Sequence, residues 1–168
     1  AELGTVFEKT QRMEHVAAYI AFEIGGNESW ARRAALLSKA DLCTQMVGEF
    51  PELQGIMGRY YAAHGGEPDA VSQAIGDHYL PAYSGDRLPA EAVGKVVAMA
   101  DRLDTLTGIF ATGQKPSGNK DPFALRRAAL GLIRILLDGE LDIELDKTLA
   151  ITALAVQEQL PVAPEVLL

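Results

Sequence analysis

A chain of 168 residues, 48% of them hydrophobic, is long enough to bury the core of one domain. Its net charge of −8 excludes a generally basic nucleic-acid-binding module, so any RNA contact must use a local patch against an unfavourable field. The single cysteine, Cys43, excludes an internal disulfide and a Cys-rich zinc site. It lies in an apolar run and is expected to be buried.

Aromatic residues make up only 7% of the chain, which predicts a core of Ala, Leu, Val and Ile. No signal peptide or membrane-length apolar run stands out, which predicts a cytoplasmic location without a membrane partner. The chain opens on Ala1 rather than Met, which suggests a piece of a longer protein.

In chain order, Thr5 to Ile24 predicts an amphipathic helix with Val6, Met13, Val16, Ala17, Ile20 and Ile24 on its apolar side, stopped by Gly25-Gly26. Asn27 or Ser29 can cap a second helix running through Trp30 to about Val47. On it Leu36, Ala40, Cys43 and Val47 recur at helical spacing. Pro51 to His64 is expected as a third helix, closed by Gly65-Gly66. A fourth opens at Glu67-Pro68 and ends near His78-Tyr79. Pro89 starts a long fifth helix through Val93, Val97, Leu103 and Phe110. A polar loop, 113–120, precedes Asp121-Pro122, a cap and first-turn pair for a sixth helix from Phe123 to about Leu137. A seventh is expected from about Leu145 to Gln159. No alternating strand pattern stands out, so the fold class is all-α.

Lys39 raises the first functional question. It falls on the stripe of Leu36 and Cys43, and a lysine there must meet an anion or snorkel to water. Asp101 and Asp104 share one face of the long fifth helix. Such a pair can hold a magnesium ion or form a seam that meets lysines, and the seam is the preferred reading. At the corner near Glu49, Gln54 and Gly55, close helix packing at Gly55 and Gly58 is preferred over a contact surface. His15, His64 and His78 have no nameable partner for general-base chemistry.

Three segments, 39–67 (KADLCTQMVGEFPELQGIMGRYYAAHGGE), 100–114 (ADRLDTLTGIFATGQ) and 115–136 (KPSGNKDPFALRRAALGLIRIL), closely resemble the β subunit of the bacterial heterotetrameric glycyl-tRNA synthetase. The likeness covers roughly Leu3 to Leu137. It implies an HD-domain-like helical bundle, about seven helices in the whole chain, with the HD-like domain over residues 3–137 and a C-terminal helical extension or the start of a following region over 138–168. It further implies service in glycine–tRNA ligation, in which ATP, glycine and tRNA(Gly) give glycyl-tRNA, AMP and pyrophosphate. The catalytic site of that family, with its ATP and Mg, lies on the separate α subunit. No catalytic residue and no cofactor are therefore expected in this segment, and its implied partners are the α subunit, the remaining β-subunit domains and tRNA(Gly).

HD domains are named for a His…His-Asp…Asp metal set. The family's helix pattern, laid without gaps from Lys9 to Lys39, puts its arginine and alanine positions on Arg12 and Ala17. The first histidine position falls on Lys9, the His-Asp doublet on Ser38 and Lys39, and the last aspartate on Asp101. Only one of four ligands survives, and two ammonium groups repel a cation. The resemblance therefore implies a degenerate, metal-free pocket in which Asp101 pairs with Lys39 and with Lys9, unless Lys9 is exposed and Lys39 turns away. The competing reading is an active metal-dependent HD phosphohydrolase. The most basic stretch offers a candidate tRNA contact through Lys115, Ser117, Asn119, Lys120, Arg126 and Arg127, with Arg134 near by. The bland alternative is that these arginines pair with acids of neighbouring helices.

Overall fold

In a computed structural model the described residues are 3–114, 116–117 and 120–160. Eight α-helices run as α1 (Val6–Glu23), α2 (Glu28–Leu37), α3 (Gln45–Glu49), α4 (Ile56–His64), α5 (Asp69–Asp77), α6 (Ala92–Ala111), α7 (Leu125–Asp138) and α8 (Leu145–Gln159). Single 3₁₀ turns cover Ala40–Cys43 and Pro51–Leu53. The described residues form a helical bundle without named strands.

The helix ends follow from local chemistry. Thr5 and Glu8 form a reciprocal capping box at α1, with Glu8 N–H donating to Thr5 Oγ1 (3.1 Å) and Thr5 N–H to Glu8 Oε2 (2.6 Å). Of the two candidate caps for α2, Asn27 is used, accepting from Trp30 N–H at 3.0 Å. Asp121 accepts from the N–H groups of Leu125 and Arg126, so α7 begins two residues later than expected.

Helix α6 is the axis. Val93, Val96, Val97, Met99, Ala100 and Leu103 are all buried, and α1, α2, α5, α7 and α8 pack around them. Small residues dominate the joins, with Ala31, Ala34 and Ala35 of α2 and Ala17 of α1 fully buried. This close packing brings charged residues of α1 and α6 face to face.

The predicted second helix does not reach Val47. It ends at Leu37, where the Ser38 hydroxyl donates to the Ala35 carbonyl (2.8 Å) and Lys39 leaves helical geometry at φ −114°, ψ 7°. Thr44 then caps the short α3. With no continuous helix there is no apolar stripe, and Cys43 is exposed rather than buried. The predicted third helix is likewise interrupted, because Gly55 takes φ +80° before α4.

The reason for this break is Asp41. Its carboxylate is 2% exposed, and Oδ2 accepts from the N–H groups of Gly55 (2.6 Å) and Gly58 (3.2 Å). A Cβ on Gly55 would lie 2.7 Å from the Tyr79 ring, and one on Gly58 2.9 Å from Ile75 Cγ2. The corner is thus a close-packed turn, as the glycines suggested. Gly55→Ala should lower stability by roughly 2–5 kcal/mol, through backbone strain and overpacking together. Urea unfolding checks this against Gly48→Ala, where an added Cβ meets nothing within 4 Å. Equal midpoints for the two variants would refute the account.

Candidate functional site

Lys9 comes from the first turns of α1, Lys39 from the break after α2, His78 from the end of α5, and Asp101 and Asp104 from the middle of α6. The fold brings them into one cluster. Asp101 Oδ1 lies 2.9 Å from Lys9 Nζ, and Oδ2 lies 2.9 Å from Lys39 Nζ. Lys9 also reaches Asp104 Oδ2 (3.0 Å) and Thr105 Oγ1 (2.9 Å). Arg12 closes the seam, donating through Nε to Asp104 Oδ1 (2.5 Å) and through Nη1 to Gln159 of α8 (2.9 Å). Asp101 and Asp104 are therefore a seam met by cations. Ser38 is fully buried but keeps its hydroxyl on Ala35, outside the ionic contacts.

His78 is a member of this site that the sequence does not single out. Its Nδ1 lies 2.7 Å from the Ile75 carbonyl, which can only accept, so Nδ1 carries the proton. Nε2 then offers its lone pair to Lys39 Nζ at 2.7 Å. The ammonium also sits 4.0 Å above the Tyr79 ring centroid. Tyr79 and Pro81 follow in a segment held by Arg102, whose guanidinium donates to the carbonyls of His78, Tyr79, Pro81 and Ala98.

The electrostatics follow from burial and proximity. Burial alone would raise the Asp101 carboxyl, but the ammonium groups of Lys9 and Lys39 outweigh it and hold Asp101 well below the usual range. Burial, reinforced by the Lys39 ammonium, depresses His78 to about 3 and keeps it neutral. Lys39 itself is pulled down by burial, against the opposing effect of Asp101. For Lys9, the two aspartates overcome burial and raise it.

A divalent metal does not fit these residues. Both Asp101 oxygens and His78 Nε2 already face ammonium groups, which occupy the place a cation would need. Among the described residues no group of three or more His, Cys, Asp or Glu side chains is placed to hold a metal ion.

The described candidate tRNA-contacting residues come from the 116–120 stretch and α7, not from the elements that supply this cluster. Ser117 and Lys120 are exposed and pair through their backbones (3.1 and 2.8 Å). Arg126 and Arg127 are exposed on α7, whereas Lys115 and Asn119 lie outside the described residues. Arg127 lines a cavity of about 420 Å³ whose walls include Asp101, His78 and Phe123. Arg134 is engaged by neighbours, lying 3.4 Å from Asp138 and donating to the Asp86 carbonyl at 3.0 Å. His15 and His64 are exposed on α1 and α4, away from the cluster. No helix among the described residues is long and apolar enough to cross a membrane.

Fold and site define an all-helical bundle built around a buried lysine–aspartate–histidine cluster. Residues 1–167 match the family model described as glycyl-tRNA synthetase beta subunit, and the chain belongs to that family. It is 59% identical over 145 residues to the glycine–tRNA ligase beta subunit of Pseudomonas aeruginosa (strain PAO1), covering 86% of this chain and 21% of that protein. It is 56% identical over 149 residues to the protein of the same name from Pseudomonas fluorescens (strain Pf0-1), covering 89% and 22%. The same identity over 151 residues holds for that of Chromohalobacter salexigens, covering 90% and 22%. The chain thus spans about a fifth of the length of the curated relatives it matches.

Proposed function

We propose that this chain is a non-catalytic, HD-like module of a glycine–tRNA ligase β subunit, one that holds other parts of the assembly in place and contacts tRNA(Gly). The observation that carries the non-catalytic part is the ammonium pair on Asp101, at positions where the HD pattern has metal ligands. Lys9 and Lys39 replace the charge of a metal and leave its architecture standing, so the pocket keeps α1, α5 and α6 together without chemistry. An HD phosphohydrolase would need the cation that these lysines exclude.

In this reading ATP, Mg and glycine are handled by the α subunit, and this module joins it through the β polypeptide. The tRNA contact rests on Lys115, Ser117, Asn119, Lys120, Arg126 and Arg127, a local basic run in a chain of net charge −8. Lysines there would donate hydrogen bonds to backbone phosphate oxygens, positioning the tRNA without reading its bases.

Charge reversal at Lys115 and Lys120 in the assembled enzyme should weaken tRNA(Gly) binding. It should also reduce the slope of log affinity against log salt by about one for each phosphate no longer neutralised. Filter binding across a salt series measures both. Unchanged affinity at low salt would remove the tRNA contact and leave the scaffold role.

A further inference from the structure

Three cavities adjoin one another where the start of α7 faces the 78–84 segment. The middle one, of about 420 Å³, shares Phe123 with a cavity of about 270 Å³ beside Gly113 and Pro116. On its other side it shares Pro81, Ala82 and Arg127 with one of about 170 Å³ that reaches Tyr83 and Leu130. Phe123 and Arg127 therefore divide a single furrow into steps. Both are exposed, Phe123 by 41%. Phe123 is followed by Ala124 in left-handed geometry, φ +55°, which is unfavourable for a residue with a Cβ. Among the described residues Arg127 makes no hydrogen bond or ion pair, and its charge acts at longer range on the Asp121 carboxylate. Tyr79 also lines the middle cavity. Lys39 and His78 already lie against its ring, with centroid distances of 4.0 and 3.9 Å, which leaves Phe123 as the aromatic face on offer. Both oxygens of Asp101 are paired by Lys9 and Lys39, so Arg102 and Arg127 set the sign of the cavity wall.

We infer that this furrow takes an unpaired stretch of RNA, with one base stacked on Phe123 and a neighbouring phosphate on Arg127. A single strand alternates a flat apolar base with an anionic phosphate, and the furrow alternates an aromatic ring with a guanidinium. A middle cavity of about 420 Å³ is within the size range of sites that enclose one small ligand. A duplex fits less well, because its bases stay stacked inside and cannot reach a recessed ring. An acidic peptide would satisfy Arg127 but has no flat group in every unit to set against Phe123. The inference rests on the proposed tRNA contact and deepens it, naming unpaired nucleotides as what is held. Charge reversal at Lys115 and Lys120 tests the contact itself. Weakened binding there, with no effect at Phe123, would remove this furrow alone.

The test is filter binding of tRNA(Gly) to the assembled full-length enzyme across a salt series, with chemical probing of the bound tRNA. Phe123→Leu keeps apolar bulk and removes the ring, whereas Phe123→Tyr keeps the ring. Both side chains are exposed, so the substitutions leave the core intact. Phe123→Leu should weaken binding by about fivefold or more, the low end for one stacked base, without changing the salt slope. Phe123→Tyr should bind as the parent does. Arg127→Gln should reduce the slope by about 0.7, the value for one single-strand phosphate. An unpaired base protected from modification in the parent complex should become reactive in Phe123→Leu. Parent-like affinity in Phe123→Leu, or protection that changes only at paired nucleotides, would overturn the inference. So would a Phe123→Leu enzyme that loses its α subunit, the sign of a furrow that docks protein. An unchanged slope in Arg127→Gln would overturn the phosphate assignment.

Discussion

Asp101→Asn should lower the stability of the fold by about 3–5 kcal/mol, the range for stranding a buried charge. The variant keeps the shape of the side chain, removes its charge and turns one of the two lysine-facing acceptor oxygens into an N–H donor. The two lysines then fare differently. Lys9, 22% exposed, retains Asp104 and the Thr105 hydroxyl. Lys39, 7% exposed, retains only the neutral His78 nitrogen and the face of Tyr79. It must give up its proton or draw water into the core, and either route is costly. The expected drop is a large share of the 5–15 kcal/mol that ordinarily holds a domain together.

The stranded ammonium can be checked separately. Lys39→Met in the Asp101→Asn background removes it and should recover much of the stability. Lys39→Met alone is milder than Asp101→Asn, because Asp101 keeps Lys9 at 2.9 Å. Urea unfolding of the four proteins gives the coupling energy, expected at about 1–3 kcal/mol for residues in direct contact. Strict additivity of the two single changes would show that the pair does not act as a unit.

The cluster is partly legible in the sequence, and the boundary of what is legible has a physical cause. Periodicity and caps place α1, α5, α6 and α8, because each signal lies within a turn or two of what it specifies. Lys39 is conspicuous because a lysine on an apolar stripe is a local contradiction. Its resolution is not local, since its carboxylate lies 62 residues on and its histidine 39. The same holds for the break at residues 38–44. Helical spacing of Leu36, Ala40, Cys43 and Val47 is a real pattern. It yields to Lys39 turning inward and to Asp41 reaching amides 14 and 17 residues away. His78 carries no signal in its neighbourhood that separates it from a solvent-facing helix end. Only the packing of α5 on α6 shows its role.

His78 gives the second large effect, a stability that drains away with mild acid. In the fold its imidazole is fully buried and depressed to about 3, whereas an unfolded chain returns it to about 6.5. A group with a depressed folded pKa contributes stability above the unfolded value and loses it as pH falls toward the folded one. From pH 6.5 downward the unfolded state binds a proton that the native state refuses, at about 1.4 kcal/mol per pH unit. By pH 4.5 this one side chain should remove about 3 kcal/mol. Asp101 is depressed as well, but its contribution fades only below the ordinary carboxylate range, so the two windows separate. The groups facing the imidazole are the Lys39 ammonium, the Asp101 carboxylate, the Arg102 guanidinium, the Ile75 carbonyl and the Tyr79 ring, whose centroid lies 3.9 Å away. None of them offers an imidazolium a free acceptor, since Nε2 already accepts from Lys39. His78→Gln can place an oxygen near that nitrogen, keeping an acceptor for Lys39 without a titration. Denaturant midpoints for parent and variant between pH 7 and 4.5 should diverge steadily, the variant flattening relative to the parent. Parallel curves would mean that His78 protonates freely in the fold, and the tautomer and ammonium contact assigned to it would both have to be abandoned.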